Sequence, residues 1–296
     1  MLISGSVFTQ AIGYGVLSSA VIGLAAVGFT LQFGISNILN LAYASVMALS
    51  MFVAYVAQHA GVNIWISMAL GGIAGAAISY AINGVLYRPF SRRTSNLFST
   101  VLVTLAAGLI ITNLLEGLVG ESFFSYQLPP TGEHVFASFH FSTNQLIIFV
   151  IGIVAMVAVQ VLLRVTALGR AMRATAADKE LAATCGIPTE RVTDGAWLLS
   201  GFLCGLGGVA LAIELGAFQP TTAGDFLVIV IAAAVLGGIG RPFGAMIGAL
   251  IVSVASEAVA AGISPVYKTV VGLGLLVLVL LLRPEGILSL GRARAG

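Results

Sequence analysis

Ala11-Ile-Gly-Tyr-Gly-Val-Leu-Ser-Ser-Ala-Val-Ile-Gly-Leu-Ala-Ala-Val-Gly-Phe-Thr-Leu-Gln-Phe33 contains no Lys, Arg, Asp or Glu. The run lies inside a longer one, because the first full charge in the chain is Arg88. A water-facing surface must be wetted by polar and charged groups. Charged residues make up 8% of this chain, against roughly 25% in an average globular domain. Hydrophobic residues reach 59% and the mean hydropathy is +1.08. The solvent for most of this surface is therefore lipid. Inside lipid every backbone polar group must be paired internally, which leaves helices or closed barrels. The apolar runs are continuous and do not alternate with period two, so the sequence predicts an all-α, polytopic transmembrane bundle.

A spanning helix needs roughly 20 apolar residues, and the 296 residues fill with eight or nine spans. The expected spans are 11–33, 44–59, 64–87, 97–115, 143–163, 195–215, 225–237, 243–261 and 267–283. The seventh is short for a full crossing, and 34–44 reads as a broken or re-entrant piece. No soluble domain fits beside them, so residues 1–296 are expected to form one membrane domain. The start of the chain carries no basic region of a cleaved signal peptide. Cys185 and Cys204 fall in a basic loop and a span, an arrangement that argues against a structural disulfide.

Basic residues in short loops favour the cytoplasm. Arg88, Arg92 and Arg93 share one loop; Arg164, Arg170, Arg173, Lys179 and Arg191 share another; Arg241 marks a third. Arg283, Arg292 and Arg294 mark the tail. The 116–142 loop has Glu116, Glu121 and Glu133 but no base, and 216–225 has only Asp225. These assignments alternate, put the C-terminus in the cytoplasm and, counted back from Arg88, put the N-terminus outside. Lys268 is the one exception. Within spans, Gly71-x-x-x-Gly75, Gly201-x-x-x-Gly205 and Gly244-x-x-x-Gly248 have the spacing of close helix packing.

The most structured polar segment is Thr166-Ala-Leu-Gly-Arg-Ala-Met-Arg-Ala-Thr175, followed by Ala-Ala-Asp178-Lys-Glu-Leu-Ala-Ala-Thr-Cys185-Gly186-Ile-Pro188. Thr175 with Asp178 three residues on resembles a capping box. Gly186 suits a left-handed C-terminal cap, and Pro188 blocks continuation. The pattern predicts a short turn at 167–174 and a helix of about ten residues at 176–185. Leu181, Ala182 and Cys185 give that helix a small apolar face beside Ala174 and Ala177. A helix this short is marginal alone in water, so it needs a partner surface.

Gly169-Arg-Ala-x-Arg-Ala-x-Ala-x-Asp178, with Ala182, Gly186-Ile187 and Arg191-Val192, resembles the coupling loop of ABC importer permeases. More narrowly it is similar to the permeases of branched-chain amino-acid uptake systems. Tyr87-Arg88-Pro89, Val235-Leu-Gly-Gly-Ile-Gly240, Gly244-Ala-Met-Ile-Gly248, Glu257 and Arg283-Pro-Glu-Gly286-Ile287 follow the same family in order, so the resemblance covers nearly the whole chain. One departure stands at Asn40-Leu41-Ala42-Tyr43-Ala44, where relatives usually carry Asn-Phe-Ala-His-Gly.

The resemblance implies a bacterial inner-membrane importer subunit that works with a second permease subunit, two cytoplasmic ATPases and an extracytoplasmic solute-binding protein. The loop helix would dock on an ATPase. Arg170 and Arg173 would bind its acidic groups, while Gly169, Ala174, Ala177, Asp178, Leu181, Ala182 and Gly186 would shape the contact. Branched-chain or related amino acids are the expected cargo, with urea, short amides or carboxylates as alternatives. An ion-coupled secondary transporter would show internal repeats and intramembrane charges, few of which are present. A membrane scaffold remains compatible with composition alone.

Asn37, Asn40 and Tyr43 recur every three residues, a spacing that shares one helical face. Polar groups at membrane depth face protein or a water-filled cavity, so these three are expected either to line a path or to bond between helices. Glu257 is the clearest intramembrane acid, either structural or in the path. Asn113 and Glu116 end a span and read as interfacial, as do Trp65 and Trp197. His59, His134 and His140 form no metal spacing. No Gly-x-x-x-x-Gly-Lys-Ser/Thr is present, and Lys179 and Lys268 are the only lysines, so ATP is not held here by a P-loop. No catalytic constellation appears. The expectation is a transport subunit, not an enzyme, with no cofactor of its own, no metal and no nucleic-acid partner, and with Mg-ATP confined to partner subunits.

Overall fold

The structure is a computed structural model that describes residues 5–91, 97–129, 132–136, 139–262, 264 and 267–282. Arg92, Arg93, the tail arginines and the Arg283–Ile287 motif lie outside the described residues. In chain order the elements are α1 (Gly5–Ser36), α2 (Tyr43–His59), α3 (Ile64–Ile82), a π turn (Asn83–Tyr87), α4 (Arg88–Ser91) and α5 (Leu97–Val119). A hairpin of β1 (Glu133–Phe136) and β2 (Phe139–Ser142) follows. Then come α6 (Thr143–Val165), α7 (Ala167–Ala177), α8 (Lys179–Thr184), α9 (Thr189–Leu215), α10 (Thr222–Gly237), α11 (Pro242–Gly262) and α12 (Lys268–Leu282). Six of these stretches are long and apolar enough to cross a membrane, while α10 and α12 are shorter apolar helices. The chain is a helical membrane bundle.

Helices α1 and α9 form the axis. The most apolar window of α9 is 83% buried and that of α5 only 17%, so α9 is central and α5 lateral. Around the axis, α1 packs on α11 and α9, α3 on α9, and α10 on α11 and α12. The two glycine motifs of α3 and α9 are partners of each other. A Cβ built on Gly75 would fall 2.4 Å from the Gly201 carbonyl oxygen, and one on Gly205 would fall 2.4 Å from that of Gly71. Nothing larger than hydrogen fits this seam, so the backbones touch. Gly248 likewise lies against the Ala233 carbonyl, closing α11 onto α10.

The stretch after α1 is broken. Asn37 has φ +54 and residues 37–42 are not helical. They carry the chain back into the bundle, where Asn40 is buried and accepts from the Tyr87 hydroxyl at 3.0 Å. The Tyr43 hydroxyl donates to the Ala25 carbonyl at 2.9 Å, about three turns back from the end of α1. Helix α2 thus begins inside the protein. The expectation of one helical face shared by Asn37, Asn40 and Tyr43 fails for this reason: only Tyr43 belongs to a helix.

Candidate functional site

One end of the bundle gathers the basic residues. Arg88 and Lys179 border one small cavity, and Arg173 borders another with Gly34, Gly240 and Pro242. Helices α7 and α8 lie at this end. Their boundaries correct the sequence expectation. The longer helix is the first, with Thr166 as its N-cap accepting from Gly169 N. Thr175 caps nothing; it is buried in the last turns of α7 and its hydroxyl donates to Ala171 O at 2.9 Å. Asp178 is itself the N-cap of α8, accepting from Leu181 N at 2.9 Å. Gly186 takes φ +82, the left-handed cap that its position after α8 required.

Helices α7 and α8 form a helical hairpin with two faces. Gly169, Met172, Thr175 and Ala182 turn inward and are buried. Gly169 abuts the end of α6, where a Cβ would lie 2.3 Å from Leu162 O. Arg170, Arg173, Ala177, Asp178, Leu181 and Cys185 are exposed, and Ala174 is half-buried. Arg170 donates back to Val165 O at 3.0 Å. Of the apolar face expected to need a partner, Ala182 is buried and Ala174 half-buried against the bundle, while Ala177, Leu181 and Cys185 stay exposed. What is offered outward is two guanidinium groups and Leu181, whose surface is 62% exposed.

Beside the hairpin, α3 is fastened to α9. Arg88 Nη2 reaches both carboxylate oxygens of Asp194 at 2.7 Å, and Asn83 Nδ2 donates to the same carboxylate at 2.9 Å. The π turn makes this possible, since its wider ring turns Asn83 and Tyr87 inward, where both are buried. Tyr87 lies over Trp197 with ring centroids 4.8 Å apart. Trp197 is fully buried and is not the interfacial residue expected from its place near a span's start; the π turn and α9 enclose it.

The opposite end is tied by aromatic residues. Phe124 and Phe218 exchange backbone hydrogen bonds at 2.8 Å, and both rings pack on Phe52. The Tyr126 hydroxyl donates to Met51 O, and its burial raises the phenol above its ordinary pKa. Gln58 exchanges two hydrogen bonds with the backbone of Gln127. Glu257 accepts from Lys268, and Glu214 accepts from Ser18.

Of the four residues considered for a path, Tyr43 is sealed between Phe29, Gly28 and Cys204, Asn40 is held by Tyr87, Asn37 is exposed, and Glu257 is in its ion pair. They do not meet. A cleft of about 470 Å³ lies elsewhere, between α2, α5 and α10. Asn113 and Glu116, read as interfacial, line it together with Ser45, Thr112, Thr221 and Asp225. Ser45 bonds to Gly108 O and to the Thr112 hydroxyl, so its polar wall is built into the α2–α5 contact. The signal for it was Thr112, Asn113 and Glu116 gathered toward the end of α5. Their partner Asp225 is remote in sequence. Among the described residues no group of three His, Cys, Asp or Glu is placed to hold a metal ion.

Residues 11–280 match the family model described as branched-chain amino acid transport system / permease component. The chain is 32% identical to the high-affinity branched-chain amino acid transport system permease protein LivH of Salmonella typhimurium, across 95% of this chain and 96% of that one. It is 30% identical to LivH of Escherichia coli over the same shares. Its fold is similar to an inward-facing metal-chelate type ABC transporter, with TM-score 0.52, 16% identity, and coverage of 90% of this chain and 85% of that one. Spans, hairpin and glycine seams thus sit in a chain that aligns with transport subunits over 95% of its length: it belongs to the permease family of the branched-chain amino acid ABC transport systems.

Proposed function

We propose that this chain is the membrane-spanning subunit of an ATP-driven importer for branched-chain or related amino acids. It sits in the bacterial inner membrane with the α7–α8 hairpin and the C-terminus in the cytoplasm. It pairs with a second permease subunit, takes cargo from an extracytoplasmic solute-binding protein, and is driven by two ATPase subunits that hold Mg-ATP. The observation that carries this reading is the outward face of the hairpin. Arg170, Arg173, Ala177 and Leu181 are exposed on helices whose inner faces are bolted to α6 and α9. Such a surface passes a push from a docked subunit straight to the core helix α9. Ala174 and Ala182 keep the hairpin close to the bundle, Gly169 lets it touch α6, and Asp178 and Gly186 fix the two ends of α8.

Reconstitution tests the reading. Purified chain alone is expected to hydrolyse no ATP. Assembled with its ATPases in liposomes, it should support hydrolysis that rises when leucine-loaded binding protein is added, together with leucine uptake. Hydrolysis by the isolated chain, or uptake without ATPase subunits, would overturn the proposal.

A further inference from the structure

The described acids in the helices at the end away from the hairpin fall into two kinds. Glu214 is satisfied by Ser18 and Glu257 by Lys268. The side chains of Glu116, in the last turn of α5, and Asp225, in the first turn of α10, have no hydrogen bond or ion pair to any described residue, and both line the cleft between α2, α5 and α10. A carboxylate at the edge of a membrane bundle is costly unless a cation or water meets it. The rest of the cleft is of opposite character. Leu41, Leu105, Leu109 and Leu227 form its apolar part, and its volume of about 470 Å³ lies in the range of about 300–1,000 Å³ usual for small-molecule sites.

We propose that the cleft is a substrate site in which Glu116 and Asp225 meet the ammonium group of the cargo while the leucine-lined part takes its aliphatic side chain. The inference rests on the reading of this chain as an amino-acid permease and adds the residues that recognise the amine. The pairing follows from chemistry on both sides. Two carboxylates without a countercharge repel an anion and attract a cation, and an apolar floor rejects a small, fully hydrated ion. An aliphatic primary amine satisfies both. A carboxylate solute without an amine satisfies only the floor and is repelled at the rim, and urea satisfies neither part.

The test uses the assembled transporter, with ATPases and binding protein, in two arms. In the first, a neutral diazoacetamide esterifies accessible carboxyls, taking the carboxyl proton and losing N2 without activating them toward amines, and the sites are read by peptide mass spectrometry. Leucine and isopentylamine are expected to protect Glu116 and Asp225, isocaproate is not, and Glu121 should be unprotected throughout. In the second arm, Glu116→Gln with Asp225→Asn is expected to lower leucine uptake per ATP hydrolysed about tenfold or more, the scale of losing a charge-assisted hydrogen bond. The KM for loaded binding protein should stay where it was. Equal protection by isocaproate, or no protection by either amine, overturns the proposal. So does a rise in that KM with uptake per ATP unchanged, which would make the two acids docking contacts for the binding protein. If wild-type transporter moves no leucine yet isopentylamine still protects both acids, the amine site stands and the amino-acid importer reading falls.

Discussion

Lys268 donates to Glu257 and so ties the first turn of α12 to the last third of α11. This one contact resolves two features of the sequence. Glu257 is the acid deepest in an apolar run, and Lys268 is the base that breaks the alternation of charges between loops. Paired, they cancel, and Lys268 is no free positive charge on its side. The carboxylate side chain is 18% exposed and the ammonium side chain 39%, so removing the base strands the less solvated partner. Lys268→Met is expected to destabilise the protein by about 1–3 kcal/mol, seen as a lower unfolding temperature in detergent. Adding Glu257→Gln should recover most of the loss. If the single variant unfolds at the wild-type temperature, the pair carries no stability.

The α3–α9 seam makes a sharper demand. Gly75→Val places two methyl groups where the Gly201 carbonyl already stands. Overpacking in a filled core costs about 1–3 kcal/mol, and a backbone neighbour has no rotamer in which to retreat. The expected outcome is a severe loss of monodisperse protein on size-exclusion chromatography. Gly84→Ala, where nothing lies within 4 Å, should behave as wild type. Normal yield of Gly75→Val would show that the helices are not held backbone to backbone.

The hairpin is tested by its backbone. Ala182 N donates to Asp178 O at 3.0 Å, the bond that closes the first turn of α8. Ala182→Pro removes that donor and clashes with the preceding turn, at about 3 kcal/mol or more. It is expected to abolish ATP-driven uptake while expression and the unfolding temperature of the bundle change little. Gly186 has open space around it, so Gly186→Val meets only the left-handed penalty of about 1–2 kcal/mol and should retain part of the uptake. Wild-type uptake by Ala182→Pro would remove the hairpin from the coupling path.

Sidedness has a test already present in the chain. Cys185 is exposed beside the hairpin and Cys204 is buried. An impermeant maleimide applied to intact cells is expected to label Ser122→Cys, in the exposed loop after α5, and to reach Cys185 only after permeabilisation. Cys204 should react only on unfolding. Labelling of Cys185 in intact cells would reverse the orientation.

The spans were legible because lipid imposes a simple rule, and a charge-free run of sufficient length has few other readings. The glycine motifs were legible as packing, and the pair was visible without its pairing. Local signals failed wherever tertiary contact chose among them. Thr175 and Asp178 are both good capping residues, and burial of Thr175 against its neighbours left Asp178 to cap. The three-residue spacing of Asn37, Asn40 and Tyr43 imitated a helix that Asn37 breaks. Trp197 looked interfacial until the π turn covered it. The cleft joins α5 to α10, more than a hundred residues apart, and no spacing along the chain could place Glu116 beside the same opening as Asp225.

The seam between α3 and α9 has a mechanical meaning as well as a packing one. Helices that meet through long side chains can slip, because rotamers yield before backbones do. Here the surfaces in contact are carbonyl groups and Cα atoms, and Arg88 with Asn83 pins the foot of the joint to Asp194. Such a joint has no backlash. A displacement at the foot of α9 would have little slack to take up before its far end, where Phe218 is stitched to Phe124 and both lean on Phe52 of α2. About thirty ångströms of protein then act as one strut, so a push at the hairpin, in the coupling role proposed for it, would reach the far end without loss to side-chain slip.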